Sequence, residues 1–122
     1  MSNIFNPQTK ILFHLNKVEK YFDNKNPDPI TIEIDPSNAC NHSCPFCISG
    51  HLHLKKYKGT ELFNRTMLNK EIFQKLAEDL IKMEINAINW TGGGEPTMNP
   101  HLKNIINFIG KNSKIKMGMF SN

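Results

Sequence analysis

Apolar and polar positions alternate along this chain with two distinct periods, and each period predicts a different element. After Asn6-Pro7, a capping residue followed by proline at the first helical position, Ile11, Leu12, Leu15, Val18, Tyr21 and Phe22 recur at helical spacing. They predict an amphipathic helix over residues 7–23, with the apolar stripe as its packing surface. Asp23 to Pro29 is polar and broken by prolines, and reads as a linker. The period then changes to two: Ile30-Thr-Ile-Glu-Ile-Asp35 predicts a strand. Asn69 can cap a helix that carries Ile72, Phe73, Leu76, Leu80 and Met83 on one face, followed by a buried strand, Ala87–Thr91. Asn99-Pro100 repeats the cap-and-proline start before Leu102, Ile105, Ile106 and Ile109, with Gly110 as terminator. Lys114 to Phe120 reads as a third strand, ending at Ser121-Asn122.

The predicted order is a helix followed by β-α-β-α-β. Such alternation favours a parallel sheet with right-handed crossovers, an α/β architecture in which ligand-binding loops gather at the carboxyl ends of the strands. Residues 1–29 form the N-terminal helix and linker, and residues 30–122 the α/β portion. One long stretch, Ile48 to Thr66, fits neither period. It carries His51, His53, Lys55, Lys56, Tyr57, Lys58, Phe63 and Arg65, and reads first as a solvated basic loop, with substrate selection the functional alternative.

The chemistry concentrates just after the first strand, in Cys40-Asn-His-Ser-Cys44-Pro-Phe-Cys47. These are the only 3 cysteines of the chain, spaced C-x3-C-x2-C. One tight loop can aim three thiolates at a common point, leaving a corner of a four-ligand centre open. An odd count without a secretory signal argues against a disulfide scaffold, and Asn, His, Ser and Pro around the thiols make a poor core segment. Two metal readings stay open: zinc held by Cys40, Cys44 and Cys47 with His42, His51 or His53, and an iron–sulfur cluster, which closely spaced thiolates hold.

A second motif follows the second predicted strand: Gly92-Gly93-Gly94-Glu95-Pro96. Glycines at a strand's carboxyl end allow close backbone approach to a ligand. Glu95 can accept from an ammonium group, and Pro96 stiffens the exit from the turn. The run lacks the spacing of a Walker loop or a dinucleotide fingerprint, and alone is a weak signal.

Together, the two motifs resemble those of the radical S-adenosylmethionine (SAM) superfamily. Its C-x3-C-x-aromatic-C loop follows the first barrel strand, matched by Cys40, Cys44 and Cys47 with Phe46 in the aromatic place. Its Gly-Gly-Glu-Pro turn follows the second, matched by Gly93, Gly94, Glu95 and Pro96. The resemblance implies a [4Fe-4S] cluster on the three cysteines, its fourth iron chelated by the amino and carboxylate groups of SAM. The Gly93–Glu95 turn would hold the methionyl ammonium, with Glu95 the leading side-chain candidate and Gly92 and Pro96 also in the cofactor-binding set, and Phe46 would lie near the adenine and shield the cluster. It further implies reductive cleavage of SAM to a 5′-deoxyadenosyl radical that abstracts hydrogen from a small-molecule or peptide substrate. The electron would come from a low-potential donor, flavodoxin- or ferredoxin-like. Asp-Pro-Ser-Asn-Ala before Cys40, with a helix ahead of the strand, is loosely similar to members that carry a SPASM-type auxiliary-cluster domain. Ser121 and Asn122 end the third strand on the same face, either near SAM or substrate or as plain strand-terminating residues.

The resemblance implies a partial (β/α)6 TIM-like barrel. Six units need roughly 190 residues at the per-unit length of a full barrel, whereas the chain has 122. Residues 30–122 are therefore expected to be the first half of the core domain, with a third strand that is prone to aggregate if left as a bare edge. Composition adds little. Free thiols suited to a cluster point to a reducing cytoplasm, and no apolar run reaches transmembrane length. The net charge of +4 is spread over scattered lysines and gives no clear nucleic-acid surface.

Overall fold

In the computed structural model, which describes residues 7–49, 66–83 and 85–122, three short strands form one parallel sheet in chain order. They are β1 (Thr31–Ile34), β2 (Ala87–Trp90) and β3 (Lys116–Met119). The register sets Thr31 beside Ala87 and Ala87 beside Lys116, and ends with Ile34, Trp90 and Met119 in a row. N-terminal to β1 are a 3₁₀ segment, Pro7–His14, and α1 (Leu15–Phe22). Helix α2 (Lys70–Lys82) joins β1 to β2, and α3 (Leu102–Asn112) joins β2 to β3.

The period-2 pattern decides which face the helices cover. Ile34, Ile88 and Trp90 are buried against Phe73, Ala77 and Leu80 of α2 and Leu102, Ile105 and Ile109 of α3. Trp90 meets Phe73 edge to face, with ring centroids 5.8 Å apart. Each such large apolar side chain contributes about 1.5–3 kcal/mol when removed from water, and this two-layer core holds the strand ends in place. The opposite face carries the alternate residues, with Glu33, Asn89 and Gly118 aligned across the sheet.

Several expected boundaries shift. The strands are four residues each, although Thr91 N still donates to Ile34 O (3.0 Å) and Phe120 N to Trp90 O (2.9 Å) beyond them. Asn69 caps α2 as expected, its side chain accepting from Ile72 N at 2.9 Å. Ile72 itself is exposed, and Ala77 takes its place in the buried stripe. Gly110 does not end α3. The helix continues to Asn112 because Ser113 Oγ donates to Ile109 O and Asn112 Nδ2 to Phe108 O, each at 2.8 Å, which satisfies late carbonyls.

The largest correction is at the N-terminus. Over Pro7–His14 the backbone is a 3₁₀ helix of about three residues per turn, so the α-helical stripe loses its alignment between Leu12 and Leu15. Ile11, Leu12, Leu15, Tyr21 and Phe22 are all exposed, so the stripe is not a packing surface among the described residues. The buried residue of α1 is Lys17, whose ammonium donates to Asp28 O (2.9 Å) and Pro29 O (3.4 Å). Helix α1 ends in a left-handed Asn24 (φ 55°), with Lys25 N donating to Lys20 O and Asn24 N to Tyr21 O. This Schellman closure turns the chain into the linker.

Candidate cofactor site at the strand ends

Both motifs leave the sheet at its carboxyl end, and the geometry begins with the stem that carries the cysteines. After β1, Pro36 to Asn38 run antiparallel to Thr66–Leu68, through a bridge between Ser37 and Met67. Leu68 N donates to Pro36 O (3.0 Å), Asn38 N to Thr66 O (3.1 Å) and Thr66 N to Asn38 Oδ1 (2.6 Å). The buried Asn99 side chain locks this stem. Its amide donates to Pro36 O (2.8 Å) and Leu68 O (3.0 Å), while its carbonyl accepts from His101 N (2.9 Å). The sequence suggests only a helix start for Asn99. Its Oδ1 does serve the residue before α3, but its two amide protons tie together segments 31 and 63 positions away.

The cysteine loop grows from that stem. Ser37 Oγ accepts from Ala39 N at 3.0 Å, and both residues are buried. All three cysteines are free thiols: Cys40 and Cys44 are half-buried and Cys47 is exposed. Cys47 N donates to Cys44 O (3.1 Å), closing a four-residue turn with Pro45 at the position where proline is favoured. Cys40 Sγ accepts from His42 N at 3.4 Å and from Asn122 Nδ2 at 3.7 Å. Among the described residues, no three His, Cys, Asp or Glu side chains meet around one point, so the three thiols share one loop without being gathered on a centre. Phe46 and Ile48, beside Cys47, are 87% and 90% exposed. His42 is exposed; His51, His53 and the other residues singled out up to Arg65 lie outside the described residues.

The glycine turn packs directly on this stem. A Cβ on Gly94 would fall on the carbonyl group of Ala39 and 2.5 Å from the carbonyl carbon of Asn38. One on Gly92 would lie 2.9 Å from Ser37 O. A Cβ on Gly93, by contrast, has its nearest neighbour at 3.6 Å, Ser49 Oγ. Close approach is thus required at Gly92 and Gly94, where the turn packs on the backbone of Ser37 to Ala39. Gly93 lines an open cleft of about 350 Å³ together with Asp35, Ser37, Asn38, Met67 and Leu68.

Glu95 is 3% exposed and engaged by the protein itself. Oε1 accepts from Thr97 N (3.1 Å), the Thr97 hydroxyl and the Ser121 hydroxyl (2.8 Å), and Oε2 accepts from Asn122 N (3.0 Å). Burial pushes its pKa up, but the donors from Thr97, Asn122 and Ser121 outweigh it and bring the value down to about 2. The carboxylate caps the 3₁₀ turn Pro96–Met98 and holds the segment after β3. Pro96 is fully buried. Thr97, two residues after the acid, is the local sign of that cap; the donors at 121 and 122 have no local sign.

Two motifs meeting at one sheet end call for comparison with known proteins. The family model of the radical SAM superfamily matches residues 34–122. The chain belongs to that superfamily. No curated protein matches it. Radical SAM proteins generally use a [4Fe-4S] cluster and SAM. The donor set here fits such a group by its chemistry: three reduced thiols on one accessible loop, the first receiving N–H donors at sulfur. Among the described residues, no helix is long and apolar enough to cross a membrane.

Proposed function

We propose that this chain is radical SAM enzyme sequence whose Cys40, Cys44 and Cys47 hold a [4Fe-4S] cluster, with SAM bound beside it against Gly92 to Glu95. The observation that supports this most is the junction of the motifs: Glu95 N donates to Ala39 O at 2.8 Å, one residue before Cys40. Cluster and SAM, when bound, supply reductive cleavage of the sulfonium C–S bond, giving methionine and a 5′-deoxyadenosyl radical that takes hydrogen from substrate.

The protein's own residues bind and orient. The stem fixes where Cys40 leaves the sheet. The Gly93 backbone faces the open cleft, where a methionyl ammonium can be received. Glu95, held as a carboxylate, fixes the turn through the bonds its oxygens accept from Thr97, Ser121 and Asn122. Phe46 is an exposed aromatic beside Cys47 and would cover the adenine side of bound SAM. The three-stranded sheet is read as the opening β-α-β-α-β of a TIM-like barrel, with substrate on the face that bears Glu33 and Asn89. The electron comes from a low-potential flavodoxin- or ferredoxin-like donor in a reducing, cytoplasmic compartment; the substrate is a small molecule or peptide.

The test is anaerobic iron and sulfide reconstitution, followed by low-temperature EPR of the reduced protein with and without SAM. A [4Fe-4S]+ signal that changes on adding SAM is the expected result. A colourless protein that retains zinc and takes up no iron would overturn the reading.

A further inference from the structure

Glu95 and Cys40 are linked through one residue, and that link suggests control of the cluster's potential. Asn122 is held from both sides. Its backbone N donates to Glu95 Oε2 at 3.0 Å, and the preceding Ser121 hydroxyl donates to Glu95 Oε1 at 2.8 Å. Its side-chain amide then reaches the cysteine loop, donating to Cys40 Sγ at 3.7 Å and to Asn41 Oδ1 at 3.4 Å. The sulfur accepts a second bond from His42 N at 3.4 Å. A metal-bound thiolate carries no proton and can only accept, so the amide must present its nitrogen there.

From this geometry we infer that Asn122 sets the reduction potential of the cluster through an N–H···S bond to Cys40, with Glu95 as the residue that positions it. The inference rests on the proposal that Cys40 is a cluster ligand. Reduction adds negative charge that is shared with the ligand sulfurs, and a donor aimed at one of them favours the reduced state. Hydrogen bonds to sulfur are among the factors that set iron–sulfur potentials. The Glu95 carboxylate does not touch the sulfur. It acts by holding the backbone of residues 121 and 122.

The experiment is a redox titration of the reconstituted protein, followed by EPR, on Asn122→Ala and Asn122→Asp with iron and sulfide counted per chain. Asn122 is exposed and its backbone N–H survives both changes, so the anchor to Glu95 is kept. Asn122→Ala is expected to lower the reduced-to-oxidised ratio at a fixed ambient potential by about threefold to tenfold, the range of a typical hydrogen bond. Tenfold corresponds to about 59 mV for a one-electron couple. Asn122→Asp removes the donor and adds a negative charge, and is expected to lower the ratio further. Fully loaded variants that both titrate at the parent potential would overturn the inference while leaving the cluster in place. A Cys40→Ala protein that builds the parent's cluster unchanged would instead remove the underlying ligand assignment, and the inference with it.

Discussion

Glu95 N donates to Ala39 O across 2.8 Å, and this bond joins two motifs that lie more than fifty residues apart in the chain. It forms only because Gly94 lets the turn lie flat on the Asn38–Ala39 backbone. A methyl group at Gly94 would overlap the Ala39 carbonyl, and neither side of that contact is a flexible side chain. Gly94→Ala is therefore expected to cost about 1–3 kcal/mol as an overpacked site and to weaken retention of iron. Gly93→Ala has room, and is expected to stay within about 0.5 kcal/mol of the parent. Urea unfolding of the two variants side by side checks the contrast.

Glu95 gives the fold a pH dependence of known sign. Its folded pKa, about 2, lies below the ordinary value of 4.5. The stabilisation from the ionised group is thus fully present above 4.5 and is lost as pH falls toward 2. Glu95→Gln keeps the shape but turns charge-assisted acceptors into weaker ones and brings an NH₂ against donors. At neutral pH it is expected to cost about 2 kcal/mol. That deficit shrinks through the acid window, because the parent loses its advantage there. Thermal melting at pH 7 and at successively lower pH values measures both; a deficit independent of pH would contradict this account.

Most of what was legible in the sequence is local or periodic. The β-α-β-α-β order follows from apolar spacing, because each buried stripe lies within one element: Phe73, Ala77 and Leu80 on α2, Ile88 and Trp90 on β2. The superfamily follows from two short motifs and their places after strands. What escaped depends on partners distant in sequence. Nothing near Glu95 shows that Ser121 and Asn122 fill its carboxylate, and nothing near Asn99 shows that its amide bridges Pro36 and Leu68. The N-terminal stripe misled for another reason: periodicity reports which residues would share a face of an α-helix, and here half of that stretch is 3₁₀.

Asn99 is the interior fastening of the cysteine stem, and its removal has a predictable cost. It is 2% exposed, and all its side-chain bonds are to backbone groups. Asn99→Ala would remove the bonds to the Leu68 carbonyl and the His101 N–H and leave Pro36 O with Leu68 N alone, at about 1–3 kcal/mol for the groups left unsatisfied. Asn99→Asp is expected to be worse, since a carboxylate would face two carbonyl oxygens that it cannot serve. Hydrogen exchange should show the effect at Asn38 and Leu68, whose N–H groups close the stem, before it reaches the core strand at Ile88.

Metal content after substitution separates thiolate ligation from mixed thiolate and histidine ligation. If the three cysteines alone hold the centre, Cys40→Ala, Cys44→Ala and Cys47→Ala should each abolish the iron signal. Replacement of His42, His51 and His53 together should leave iron and sulfide per chain unchanged. His42 contributes to Cys40 through its backbone N–H, which the substitution preserves, so even a small shift in the EPR line is not expected from that position. A Cys3His site would respond in the opposite way, losing its metal with the histidines. Treatment of the reconstituted protein with a chelator and an oxidant, followed by urea unfolding, completes the argument. The α2–α3 core is built without the cysteine loop, so metal removal should lower stability only slightly while bleaching the cluster. Cooperative unfolding on metal loss would mean that the thiol loop helps to fold the domain, in addition to holding the cofactor.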